Sequence, residues 1–282
     1  MPADQLYFSA PFDAIAERYD ETFTDSKIGQ AQRASVWKEL AKTFHPGDRV
    51  LELGCGTGVD VWFLAQRGVT VVACDASPQM IAIAQRRTQK PADTGAGSVS
   101  LHLLRAEEVG SLGEQGPFEG AFANFGVLNC IDNLRPLAID LAKLLRPGAS
   151  ALLCLMGPYC AWEIAWYLAE GKPRKAFRRL QRGGVTATLA DEANVHVQYP
   201  AVRSLARIFS PEFRLKSVRG IGVSVPPSYV ESWAARFPRL FDFCVRADSI
   251  LGRCPGVRVF ADHILLRFER ERVCANPGKV RH

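Results

Sequence analysis

Three glycines at alternate positions, Gly54, Gly56 and Gly58, are followed about 20 residues later by an acid, Asp75. Glycine lacks the Cβ that disfavours left-handed backbone, so a loop of this kind brings its N–H groups close to a ligand. An acid at the end of the next strand holds the two hydroxyls of a ribose by charge-assisted hydrogen bonds. The chemistry implied is recognition of a nucleoside. The dinucleotide fingerprint spaces its glycines G-x-G-x-x-G, and Val59 occupies the sixth place, which counts against nicotinamide or flavin.

The elements that position these residues are legible on either side of them. Val50, Leu51 and Leu53, between Pro46-Gly47 and the glycines, read as a buried parallel strand, and Thr70–Asp75 reads as a second. Val59 to Leu64 has helical spacing, so a helix N-terminus also faces the ligand. Ser77 caps a further helix, with Pro78 at its first position and Met80, Ile81 and Ala84 on its inner side. A glycine-rich turn serving only chain reversal would not require the acid that ends the second strand.

The run Glu52-Leu-Gly-Cys-Gly-Thr-Gly58, followed by Asp75-Ala-Ser-Pro-Gln-Met80, resembles the nucleotide-binding half of the class I S-adenosylmethionine-dependent methyltransferases. It is most similar to the branch containing the ubiquinone/menaquinone C-methyltransferases and many small-molecule O- and N-methyltransferases, over about residues 8–156. The resemblance implies an α/β fold with a Rossmann-like sheet of seven strands, mostly parallel with the last antiparallel. It implies S-adenosyl-L-methionine as cofactor, held by Glu52, Gly54, Gly56, Gly58, Asp75, Ala76, Met80, Ala106, Glu107 and Asn124. Arg105 stands where the family has the first acid of its adenine-binding turn, so Glu107 is the candidate for the carboxylate role. Phe12 to Asp20 resembles the family's Phe-Asp-x-x-Ala-x-x-Tyr-Asp segment, whose helices fold over the cofactor. That places Tyr19, with Tyr7 and Phe8, near the methyl group, packing of the lid being the competing reading.

The expected organisation is lid helices over 1–45, a cofactor-binding core over 46–157, a cap insertion over 158–200, the rest of the sheet and its helices over 201–270, and a flexible tail over 271–282. Within it, Gln30–Phe44 reads as a helix, Lys90–Ser98 as a loop, Val99–Leu104 and Phe118–Phe125 as strands three and four. Leu134–Leu145 reads as a helix closed by Arg146-Pro147-Gly148, and Ser150–Met156 as strand five. Residues 157–212 exceed the needs of one crossover helix. They divide into an aromatic helix from Trp162 to Ala169, a basic stretch from Lys172 to Arg182 on a helix, and a hairpin of Val185–Ala190 and Asn194–Tyr199 around Asp191-Glu192. Val202–Phe209 and Ser228–Leu251 read as helices, Phe213–Val225 as strand six, and Ala261–Phe268 as a last strand at the sheet's edge.

The acceptor side is less determined. Tyr7, Tyr19, Asn129, Tyr159, Trp162 and Trp166 are the substrate-binding candidates, although paired tryptophans at helical spacing also describe core packing, and asparagines also satisfy turn backbones. Transfer from a sulfonium needs a held, collinear nucleophile more than a base. The side chains available as a base are Tyr7, Tyr159, Tyr19, His196 and Tyr199, the last three being the catalytic candidates. His102 and His263 fall on strands and read as structural. The basic stretch reads equally as an anion site or a solvated face.

At 282 residues, 48% hydrophobic and 23% charged, the composition is that of a soluble globular protein. No apolar run reaches the ~18 residues of a membrane span, and residues 1–10 lack a signal pattern, so a cytoplasmic location is expected. Eight cysteines form no C-x-x-C pair, and Asp132-Asn133 lacks companion acids, so no metal is expected. The net charge of +6 is modest, and the Asn/Asp-Pro-Pro-aromatic run of exocyclic-amine nucleic-acid methyltransferases is missing, so nucleic acid is not expected as a partner. The expectation is a methyltransferase acting by direct in-line transfer on a small or medium-sized organic molecule through an O, N or C nucleophile. Its alternative is a protein that binds the cofactor but catalyses another reaction, such as cyclisation. The oligomeric state is not readable.

Overall fold

The computed structural model describes residues 10–89, 95–189 and 193–272. The short aliphatic runs form parallel strands β1 (Arg49–Leu53), β2 (Thr70–Asp75), β3 (Val99–Leu103), β4 (Phe118–Ala123) and β5 (Leu145–Met156). A two-stranded hairpin, β6 (Val185–Leu189) and β7 (Ala193–Val197), stands apart from them, and β8 (Phe213–Ile221) and β9 (His263–Arg270) complete the main sheet. Its order is β3-β2-β1-β4-β5-β9-β8, with β9 antiparallel to both neighbours. The expected seven-stranded sheet with an antiparallel last strand is therefore present, but β9 is not at the edge. It is inserted between β5 and β8, where both faces of its Leu265-Leu266 pair are buried.

Helices cover both faces, as a parallel sheet requires. α2 (Lys27–Thr43), α3 (Val59–Ala65) and α4 (Pro78–Thr88) lie on one side, where Val36, Leu40, Val61 and Leu64 meet Val50, Val71 and Phe122. α5 (Leu134–Leu144) and α8 (Val202–Phe209) lie on the other, where Leu137, Leu141 and Phe209 meet Leu51, Leu53 and Leu153. Successive residues of β1 thus serve opposite cores, the period-2 alternation of a strand. The order reverses between β1 and β4, and in such sheets the crevice beyond the strands' carboxyl ends at that point is where ligands bind.

Before α2 the chain forms a 3₁₀ turn over Pro11–Ile15, a single turn α1 (Ala16–Tyr19) and a π turn over Asp20–Thr24. α2 begins three residues before the expected Gln30 because the Ser26 hydroxyl accepts from Gly29 N at 2.9 Å, an N-cap that sets the start. After β5 come α6 (Ala161–Ala169) and α7 (Pro173–Ala176). The basic stretch is not one helix: after α7 only a 3₁₀ turn follows, over Arg178–Leu180, and Arg179 turns inward. The expected helix over 228–251 is likewise divided, into a 3₁₀ turn, α9 (Glu231–Arg236) and α10 (Pro238–Leu251). Pro238 disfavours helical backbone at Phe237, whose φ, ψ of −126° and 63° mark the break. The hairpin's turn at Asp191-Glu192, part of the 90–98 loop and the tail from residue 273 lie outside the described residues.

Candidate active site

β1 ends in a loop with Gly54, Gly56 and Gly58 all at positive φ (65°, 52° and 76°). The positions differ in what demands glycine. A Cβ on Gly54 would stand 2.4 Å from Val127 Cγ2, whereas one on Gly56 would meet nothing within 4 Å. Gly56 therefore presents bare backbone to open space, where a ligand has room to lie against it. Its N–H donates to Asp75 Oδ2 at 2.8 Å, and Ser77 N donates to Asp75 Oδ1 at 2.9 Å. Each of those oxygens keeps a further lone pair for a ligand hydroxyl. Burial raises the Asp75 pKa above the ordinary value, against the opposing pull of the Ser77 and Gly56 amides.

These groups line a cavity of about 670 Å³, within the usual range of ligand sites. Of the expected cofactor contacts, Gly54, Gly56, Asp75, Ala76, Met80, Ala106, Glu107 and Asn124 line it. Glu52 and Gly58 do not. Gly58 sits below, at the N-terminus of α3, where a Cβ would come within 2.8 Å of Ala84 Cβ. Glu52 is buried with Oε2 unpartnered, and burial pushes its carboxyl well above the usual range. Glu107 accepts from Arg105 at 3.1 Å, so the arginine that replaces the family's first acid is tied to the second.

Two residues that line the cavity, Asp60 and Arg33, are not among the expected contacts. Asp60 accepts from Trp37 Nε1 at 2.6 Å and Asn124 Nδ2 at 2.8 Å, and pairs with Arg33 at 2.7 Å. Arg33 lies 4.9 Å from the Phe125 ring centre with its Nε unpartnered. Burial opposes its charge, but the Asp60 carboxylate holds its pKa above the ordinary value. Phe125 itself has φ of 47°, an uncommon value for a bulky residue. Asp60 lies two residues past Gly58 on the first turn of α3, a position that marks it in hindsight. Arg33 in the middle of α2 has no such mark.

The lid closes one side of the cavity through both acids of its Phe-Asp-x-x-Ala-x-x-Tyr-Asp segment. Asp13 Oδ1 accepts from the Ser77 hydroxyl and, at 3.3 Å, from Gln79 N. Asp20 accepts from the Thr57 hydroxyl at 2.7 Å and pairs with Arg87 in the last turn of α4. Tyr19 lies between them and lines the cavity, and burial pushes its phenol up to about 12. Val195 of β7 lines the opposite side with Cys130 and Ile131.

The remaining acceptor candidates stand elsewhere. Asn129 is fully buried: its Nδ2 donates to the carbonyls of Met156 (2.9 Å) and Gln198 (2.5 Å), and its Oδ1 accepts from Met156 N (2.9 Å). It ties the hairpin to β5 and does not line the cavity. Trp162 packs on Trp233 and donates to Ser224 O at 3.0 Å, Trp166 also lies off the cavity on α6, and Tyr159 is 42% exposed against Phe260. Of the catalytic candidates other than Tyr19, His196 lies on the outer side of β7, 4.0 Å from Asp132, and Tyr199 lies 5.4 Å from the Arg179 guanidinium. Tyr7 and Phe8 lie outside the described residues. Among the described residues no cluster of three or more His, Cys, Asp or Glu is arranged to hold a metal.

The sheet order, the glycine loop with its acid and the crevice between β1 and β4 define the class I S-adenosylmethionine-dependent methyltransferase fold. Comparison with known proteins agrees. Residues 50–148 match the family model described as a methyltransferase domain. A demethylmenaquinone methyltransferase of Mycobacterium sp. (strain KMS) is 34% identical over 146 residues, covering 51% of this chain and 56% of that protein. The CcbJ methyltransferase of Streptomyces caelestis, 16% identical, superposes with a TM-score of 0.61 over 94% of this chain and 99% of that one. A (4+2)-cyclase, SpnF, 15% identical, superposes with a TM-score of 0.53 over 85% and 80%. At such identities the superpositions establish the fold alone, and the chain spans little more than half the length of the curated relatives it matches. Over residues 50–148 the chain is similar to the methyltransferase domain family, and its fold is that of the class I S-adenosylmethionine-dependent methyltransferases.

Proposed function

We propose that the protein transfers the methyl group of S-adenosyl-L-methionine, in line, to a small or medium-sized organic acceptor with an apolar body. The observation that carries the reading is Gly56, whose bare backbone faces open space beside a half-buried Asp75 that retains unused lone pairs. Asp75 would take the ribose hydroxyls, Ala106 and Glu107 the adenine, and Arg33 with Glu52 and Asn124 would surround the amino-acid end. Arg33 and Asp60, paired at the cavity wall, suit a ligand that carries both a carboxylate and a cation. When bound, that cofactor supplies an already activated methyl.

The chain's own contribution is then to orient the acceptor and exclude water. Val127, Ile131 and Val195 offer apolar contact at the cavity, and Tyr19, whose phenol burial pushes up to about 12, would offer its hydroxyl to the acceptor as a donor. No histidine lines the cavity among the described residues, so an acceptor that is acidic, or nucleophilic as a neutral, suits it.

Calorimetric titration with S-adenosylmethionine and its demethylated product tests the cofactor. Mass spectrometry with a panel of phenols, quinols including demethylmenaquinol, amines and carboxylic acids tests transfer. Binding with gain of one methylene on a panel member is the expected result. Absence of binding overturns the cofactor assignment, and binding with conversion of an acceptor but no gain of mass would favour cyclisation.

A further inference from the structure

α10 has two apolar faces, and the fold uses one of them. Phe241 and Val245 pack inward against Ile28, Val225 and Ala234. The inward Asp248 accepts from the amides of Gly222, Val223 and Ser224 at 3.1, 2.6 and 2.9 Å. On the opposite side, Leu240, Phe243 and Ile250 recur at intervals of three and seven residues, which aligns them on one stripe. That stripe is bare: Phe243 is 66% and Ile250 67% exposed. A surface helix of a protein without a second partner presents charge there, so an outward apolar stripe marks an interaction surface.

We propose that this face of α10 seats the protein on an anionic phospholipid surface. Arg239 and Arg246 lie along one edge of the stripe on the same helix with Asp242 between them, and both are exposed and in no ion pair among the described residues. Arginines beside exposed phenylalanine and branched aliphatics are the composition of a helix that lies in the plane of a membrane interface. The apolar side chains then enter the acyl boundary while the guanidinium groups meet lipid phosphates, to which they bind bidentately. A second copy of the chain fits the face less well. An isologous contact places the same patch on both sides, so unpaired arginines would be buried against one another. No described helix is long and apolar enough to cross a membrane, so the attachment is peripheral. With 14 residues, α10 offers a contact about 21 Å long. None of its residues lines the cavity.

Co-sedimentation of the full chain with vesicles of equal parts phosphatidylcholine and phosphatidylglycerol, and with vesicles of phosphatidylcholine alone, tests the proposal. Binding to the mixed vesicles, weaker to the neutral ones and reduced by salt, is expected. Phe243→Ser with Ile250→Ser should weaken it at least about tenfold, which corresponds to ~1.4 kcal/mol. Arg239→Gln with Arg246→Gln should weaken it and flatten its salt dependence. All four positions are exposed, so circular dichroism and S-adenosylmethionine titration should match the parent. Failure of the parent to sediment with mixed vesicles overturns the proposal, as does binding indifferent to both double variants. So does a concentration-dependent dimer in sedimentation equilibrium that Phe243→Ser with Ile250→Ser abolishes.

Discussion

The core half, residues 49–156, and the half that follows it solve the problem of buried charge in opposite ways. In the core, Glu52 is buried with one oxygen unpartnered and its carboxyl is pushed well above the usual range. In the second half, Glu163, Arg179 and Asp262 are equally buried but joined, Arg179 to Glu163 at 2.8 Å and to Asp262 at 2.7 Å. Burial alone would raise Asp262, but His263 and the Arg179 guanidinium hold it well below the usual carboxylate range. The unpartnered carboxyl lies on β1 off the cavity, whereas the joined charges fasten α6 and the 3₁₀ turn after α7 to the start of β9.

Removing Arg179 should have the largest effect. Arg179→Ala strips a buried network of its central cation and should cost roughly 3–5 kcal/mol of unfolding free energy in urea. A change within error would show that the network is not structural. Asp75→Ala should leave stability nearer the parent's and weaken S-adenosylmethionine binding by about 1–3 kcal/mol, the order for a lost charged hydrogen-bond partner. Unchanged affinity in calorimetry would remove Asp75 from the site.

Opposite pH slopes sharpen the comparison. Glu52 binds its proton more tightly folded than unfolded, so its stabilisation is present below about 4.5 and is lost as pH rises toward its folded-state value. Asp262 is the reverse: its stabilisation is present above about 3.8 and is lost as pH falls toward its depressed value. Relative to the parent, Glu52→Gln should therefore remove a decline in stability above pH 4.5, and Asp262→Asn a decline below pH 3.8. Thermal melts across pH would show it, and parallel curves would refute the assignment. Smallest of all, Lys172→Ala should leave stability unchanged, because its partner Glu170 and the lysine itself are both at the surface.

What could be read from the sequence follows the same division. The glycine loop is legible because positive φ and close approach demand one residue type, and Asp75 and Ser77 because they end a strand and cap a helix. Arg33 is not, since its importance arises only when α2 folds across the mouth of β1. The network of residues 163, 179 and 262 joins positions far apart in the chain, so the basic stretch by itself reads equally as an anion site or a solvated face. Trp162 and Asn129 attracted attention by residue type, yet their hydrogen bonds go to the backbones of Ser224 and of Met156 and Gln198. In the lid, the aromatic residues of the motif drew notice, whereas its two aspartates make the contacts to α4.

Those aspartates grip α4 at both ends, Asp13 at Ser77 and Asp20 at Arg87, while the hairpin is fixed through Asn129 to the sheet. The lid therefore shares a cooperative unit with the helix that follows Asp75. Amide exchange in residues 10–24 and along α4 should slow together when ligand binds, and the β6–β7 amides should keep their own rate. The cavity is thus a vessel whose rim on one side is fastened to its own wall, so loosening either aspartate would loosen rim and wall together.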